Sequence, residues 1–493
     1  MNLFAARGVI LALAMVAAMA GCAGGKIVPH GGAPAYDVVI RGGRVIDPES
    51  GLDAVRSVGI SQGAIRAVST AELTGRTVID ARNLVVAPGF IDLHWHGKLP
   101  ETSRFEAMDG VTTSLELEVG TDDVDRWYAE REGKFSINYG VSAGHIPVRM
   151  HLLHDPADFL PSGDGAKKIA TPEEVEQMKQ RLDHGLRRGA LAVGFGVAYT
   201  PGAVHWEILE MFRVAARYGA FAHVHLRGAS SAAGATADRE MGLAEAISAS
   251  ALSGTPLHVA HIHSSGQART PNLLRMIEEA RAKGLDVTTE CYPYTAGATR
   301  LESFLFDDWA NKPESELQKL QWVATGERLT RESFLRLRKI GGVVLIHANT
   351  EEIVRYAVAH PLTMIASDGF DIISGHGHPR SAGTYSRILG HYVREEKVLS
   401  LTQALAKMTL APAQRLERRV PGMKNKGRIR VGADADITVF DPERIIDRAT
   451  YDAPDRYSEG VRFVLVNGSP VVSDGVFRAG VLAGRPVRAP IIE

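Results

Sequence analysis

Hydrophobic and polar positions change rhythm twice along the chain. From Tyr36 the text alternates with a period of two in "YDVVIRGGRVIDPESG", "VGISQGAIRAV" and "TVIDARNLVVAPG". Gly, Asp and Asn punctuate these runs, which is the pattern of short antiparallel strands joined by tight turns. The same rhythm returns near the C-terminus in "ADADITVFDP" and "VRFVLVNGSPVVSDGVF". Two strand-rich flanks predict one small β-sandwich domain built from both chain ends, over 37–88 and 431–493. Between them, over 89–430, short apolar runs alternate with amphipathic helical stretches. The candidate strands are "GFIDLHWH", "VTTSLELE", "INYGVSAGH", "ALAVGFG", "AFAHVHL", "PLHVAHIH", "DVTTECYPY", "GVVLIHA" and "TMIASDG". A helix such as "TPEEVEQMKQRLDHGLRRG" opens on the cap Thr171 with Glu174 three residues later. This repetition predicts an α/β fold, a (β/α)₈ TIM-like barrel with a parallel sheet. The polar stretch 301–335 reads as an insertion or lid.

The first residues follow another pattern. "MNLFAARGVILALAMVAAMAGCAGG" has one early Arg7, an apolar core and then small residues. That core is too short to span a bilayer and reads as the h-region of an export signal. Met19-Ala20-Gly21-Cys22 resembles a bacterial lipobox. The resemblance implies a lipoprotein signal peptide over 1–22, a lipid on Cys22 and a Gly/Pro-rich tether over 23–36. The expected location is the periplasm or the outer membrane, with membrane attachment only through that lipid. Cys22 and Cys291 are the two cysteines of the 493 residues, so no disulfide framework supports the fold. Lys and Arg number 56 against 57 Asp and Glu, a net charge of −1, which gives nucleic acid no electrostatic footprint.

Composition therefore directs attention to the strand ends. In "GFIDLHWH", His94 and His96 stand two apart, and side chains at i and i+2 of a strand share a face. An isolated pair of this kind is equally at home on an ordinary strand. Three further residues change the picture: His225 ends "AFAHVHL", His261 ends "PLHVAHIH" and Asp368 ends "TMIASDG". Barrel active sites form at the C-terminal ends of the strands, so all five side chains are expected at one mouth. Imidazole and carboxylate are zinc ligands, and a zinc-bound water ionises near neutral pH to give a hydroxide nucleophile. In "GVTTSLELEVG", leucines facing the outer helices would turn Glu116 and Glu118 inward. An inward glutamate needs a partner or a metal, and Glu118, nearer the mouth, is the expected ligand. One or two zinc ions are expected.

A resemblance then becomes specific. "APGFIDLHWH", "GVTT", "HVHLRG", "VAHIH", "ECYPYTAGAT", "IASDG", "HPRSAGTYSRILGHYVREEKVLSLTQALAKMTLAPAQRL" and "GADADITVFDPERIIDRATY" run in order from 87 to 451. Together they resemble the N-acyl-D-amino-acid deacylases (D-aminoacylases) of the amidohydrolase superfamily. The resemblance implies a metal-dependent hydrolase that cleaves an N-acyl-D-amino acid into D-amino acid and carboxylic acid. His94, His96, His225 and His261 match its metal ligands, and Asp368 its proton shuttle. Tyr292 and Arg380 match residues that hold the substrate carboxylate, and His263 stands where the family keeps a carboxylate-binding lysine. The family's metal-binding cysteine near the end of the GVTT strand is replaced by "LELEVG", which leaves Glu118 as its substitute. "ALAVGFGVAY" lacks the bridging lysine of hydantoinases and dihydroorotases. A dipeptidase, a lactonase or a catalytically inactive binding lipoprotein are the alternatives. The expected partner is a small N-acylated amino acid.

Overall fold

The computed structural model describes residues 27–29, 35–228 and 238–493. The expected signal segment with Cys22 lies outside these residues, as does most of the tether. Among the described residues no helix is long and apolar enough to cross a membrane.

Eight parallel strands form the barrel sheet. In chain order they are Phe90–Asp92, Val111–Thr121, Asn138–Gly144, Val193–Gly196, Ala222–His225, Leu257–Val259, Val287–Cys291 and Thr363–Ile365. Helices such as Pro172–Arg187 pack outside them, and Thr171 with Glu174 forms the expected reciprocal cap. Pairing runs without a break from the eighth strand back to the first. Across the remaining seam, between first and eighth, there is less. A single bridge joins Trp95 to Gly369, and the His96 amide donates to Gly369 O at 2.7 Å. The buried Asp92 carboxylate reinforces it, accepting the amides of His94 and Ser367 at 3.0 Å each.

The flanks form strands, most of them paired antiparallel, but the strand that starts at Tyr36 runs parallel to those that start at Gly75 and Val85. Ile27–Pro29, Tyr36–Asp47, Leu52–Ser61, Ala64–Ser69, Gly75–Asp80 and Val85–Pro88 join Ile437–Phe440, Val461–Val466, Ser469–Ser473 and Val476–Phe477 in one ten-stranded sheet. Val85–Pro88 pairs antiparallel with Ile437–Phe440, which is where the two ends of the chain meet. That strand then runs through Gly89 into the first barrel strand. A Cβ on Gly89 would lie 2.2–2.7 Å from the Thr112 side chain, so only glycine lets the two layers approach this closely.

Two stretches depart from the sequence-based expectation. "GVVLIHA" supplies no barrel strand: Val343–His347 pairs antiparallel with Ala296–Arg300 and Leu320–Trp322 in a separate three-stranded sheet. The insertion thus begins earlier and ends later than 301–335, and it has its own core, including Leu301, Phe306, Trp309, Trp322 and Phe334. The last residues leave the small sheet and run along the barrel, where Tyr139 exchanges backbone hydrogen bonds with Arg485 and Val487.

Candidate metal centre

The C-terminal ends of the strands face a cavity of about 820 Å³, roofed by Trp322, Val343 and Ile346 of the insertion. His96, Glu118, His225, His261, Tyr292, Asp368 and Arg380 all line it. His94 lies just beneath, fully buried.

The donors form overlapping groups: two share Glu118, and His94, His261 and Asp368 make a third. In the first, His94 Nε2 and His96 Nε2 are 3.1 Å apart. Glu118 Oε2 lies 3.3 Å from His94 Nε2 and 3.4 Å from His96 Nε2, and Asp368 Oδ1 lies 3.4 Å from each. Ligands at ~2.0–2.2 Å from a tetrahedral zinc stand about 3.3–3.6 Å from one another. Five separations among these two imidazoles and two carboxylates therefore stand close to the edge length of that tetrahedron, and the chemistry of the donors fits the ion. In the second group, Glu118 Oε1 is 2.7 Å from His225 Nδ1 and 3.5 Å from His261 Nε2. One carboxylate thus offers an oxygen to each of these two groups.

Local backbone explains the aim of these side chains. Pairing between Val111–Thr121 and Asn138–Gly144 slips after Glu116, so that Thr121 comes opposite Ala143. The bulge frees Leu117 to Gly120 from the ladder, and bulges of this kind re-aim side chains beside active sites. Glu118 thereby reaches the donors, while Glu116 accepts from His96 Nδ1 at 2.7 Å. His261 and Asp368 take φ of 28° and 51°. Non-glycine residues held in that region carry strain, which clusters at functional sites.

Electrostatics favour a cation here. Burial works to lower the pKa of His94, but the charges of Asp368, Glu118 and Glu290 outweigh it and raise it well above the ordinary range. His96 behaves likewise under Glu116, Asp368 and Glu118. Burial alone would push Glu118 up, yet His94 and His225 hold it well below the carboxylate range. The carboxylates pull positive charge into the site, whether protons or a metal.

Arg380 Nη1 contacts Asp368 Oδ2 at 2.8 Å, and its guanidinium lies 4.7 Å over the Tyr292 ring. His263 corrects the expectation that it meets the substrate. The short helix Ile262–Gly266 starts just after the strand end and tucks His263, fully buried, edge-on behind Tyr292 at 4.2 Å. It does not line the cavity. Burial, then the charges of His261 and Arg380, push its pKa down to about 3, so it carries no positive charge to offer a carboxylate.

Several residues at the site went unmarked in the sequence. Glu290, on the strand Val287–Cys291, accepts from His94 Nδ1 at 2.5 Å. Ser265 Oγ lies 3.2 Å from His261 Nδ1. Tyr199 stacks edge-on to His225 at 4.9 Å. The one available signal was an acid on an inward strand position, since a buried charge requires a partner.

Comparisons with known proteins point to one family. The amidohydrolase family profile matches residues 149–472. An N-acyl-D-glutamate deacylase of Alcaligenes xylosoxydans xylosoxydans is 32% identical over 483 residues, covering 88% of this chain and 93% of that protein. A crystal structure of an N-acyl-D-glutamate deacylase from Bordetella bronchiseptica, with zinc and a phosphonate mimic of the tetrahedral intermediate, superposes with a TM-score of 0.78 at 26% identity. It covers 92% of this chain and 100% of that one. A D-aminoacylase structure described by its binuclear metal centre gives 0.76 at 25% identity, with the same coverage.

Proposed function

The chain belongs to the amidohydrolase family, and on that footing we propose that it hydrolyses the amide bond of an N-acyl-D-amino acid to the D-amino acid and a carboxylic acid. The observation that carries this reading is the convergence of His94, His96, Glu118 and Asp368 at metal-ligand separations, with Glu118 also reaching His225 and His261, at the floor of a cavity of small-molecule size. Zinc held by these residues supplies Lewis acidity to the scissile carbonyl and lowers the pKa of water toward neutrality.

The chain's own groups do the rest. Asp368 is the general base: it takes the proton of the attacking water and returns it to the leaving nitrogen, which would otherwise depart as an unstable amide anion. Arg380 is the cation for the substrate carboxylate, with Tyr292 beneath it. Glu116 holds His96 by its Nδ1 atom, leaving Nε2 toward the cluster.

A panel of N-acetyl-D-glutamate, N-acetyl-D-leucine, their L-enantiomers, D-dipeptides and lactones tests the reading, with turnover expected on N-acetyl-D-amino acids. Zinc-loaded protein that cleaves only lactones or dipeptides, or nothing, would refute it. The sequence around Cys22 supports export with a lipid on that cysteine. Under that proposal Cys22→Ser releases the protein from the membrane fraction, and unchanged membrane association counts against it.

A further inference from the structure

Glu290 lies one layer below the donor cluster, and its surroundings are unusual for a barrel interior. Oε1 is 2.5 Å from His94 Nδ1, and Oε2 is 3.0 Å from His258 Nε2. His258 Nδ1 is in turn 2.7 Å from Thr288 Oγ1. His94 and His258 are 0% exposed and Glu290 1%, so no bulk water competes for these contacts. We propose that Glu290 is a positioning residue that fixes the tautomer and ring orientation of His94, and that Thr288 and His258 hold Glu290 in place for this task.

The direction of the chain follows from what each group can donate. A carboxylate accepts only, so both facing ring nitrogens, His94 Nδ1 and His258 Nε2, must carry hydrogens. A neutral His94 with its proton on Nδ1 keeps a lone pair on Nε2, the atom that faces His96, Glu118 and Asp368. His258, protonated on Nε2, accepts at Nδ1 from the Thr288 hydroxyl. With both imidazoles neutral, the chain ends with the Nε2 electron pair of His94 at the donor cluster. Burying a carboxylate among imidazoles is costly, and an apolar side chain would pack that space more cheaply. The arrangement makes sense if Glu290 serves the ligand above it.

This inference rests on the reading of His94 as a metal ligand, and the experiment separates the two. Chelator-stripped protein is titrated with zinc against a chromophoric competitor, and the binding step lost in His94→Ala marks the His94 site. In Glu290→Gln, which keeps the volume, the dissociation constant of that step should rise on the order of 10–100-fold while the other step is unchanged. In zinc-loaded protein, the ¹⁵N–¹H shift of His94 Nδ1 should show a strong hydrogen bond to a carboxylate in wild type and a weaker contact in the variant. Thr288→Val, at the far end, should weaken the same step about two- to fivefold and serves if Glu290→Gln does not fold. Unchanged affinity at the His94 step in either folded variant overturns the proposal, as does a drop spread equally over both steps. Wild type that binds no zinc overturns the deacylase reading itself.

Discussion

Asp368→Asn is expected to lower kcat on an N-acetyl-D-amino acid by roughly 10²–10⁴-fold or more, since general acid–base catalysis is worth that much. Asparagine keeps the shape and the contact with Arg380 but can neither take the water proton nor hand it to the leaving amine. The second donor group, Glu118 with His225 and His261, contains no atom of Asp368, so the variant should still retain zinc. Turnover by product chromatography and zinc by atomic absorption test this together, and activity within about tenfold of wild type would remove Asp368 from the mechanism. A pH effect accompanies it. Burial pushes the Asp368 carboxyl up, but Arg380 and His94 hold it well below the usual range. The base is therefore ionised across the working range. Arg380→Gln removes the leading cation and lets that pKa rise, so the acid limb of kcat should move to higher pH than in wild type.

Glu118→Gln should have the broader effect. Its two oxygens serve different donor groups, at 3.3 Å from His94 Nε2 and 2.7 Å from His225 Nδ1. An amide has nearly the same size, but it brings no negative charge among four imidazoles. Zinc affinity should fall on the order of 100-fold or more in both binding steps, beyond the range for an outer partner, and activity with it. Stripping wild type with a chelator should abolish turnover and added zinc restore it, whereas the variant should not recover at the same zinc concentration. A Glu118→Gln protein that holds zinc like wild type would leave the second group without its anion and refute the shared-carboxylate arrangement.

How much of this was legible depends on the range of the interaction concerned. Eight barrel strands follow from apolar periodicity, and the convergence of His94, His96, His225, His261 and Asp368 follows from where they stand on those strands. The run "GVVLIHA" has the same composition as a barrel strand, but composition says nothing of a strand's partners, and its partners are antiparallel. Alternation with Leu115 and Leu117 turns both glutamates inward, whereas the bulge that separates their roles is a register event. His263 matches a lysine position of the resembled family, yet one helical turn after the strand end carries it away from the cavity. Glu290 was the hardest to see, because its principal contact is 196 residues distant. An acid in "TTECYPY" announces a need for a partner without naming it.

The seam of the barrel bears on stability as well as chemistry. His94 and His96 follow the first strand and Asp368 follows the eighth, so the donor set straddles the junction where backbone pairing is thinnest. An ion gripped from both sides of that junction binds the closed barrel and not one parted there, and by mass action it stabilises the closed form. The cation would then act as a clasp. Its removal should loosen the junction between Trp95 and Gly369 first, which would make the melting temperature a gauge of how full the site is.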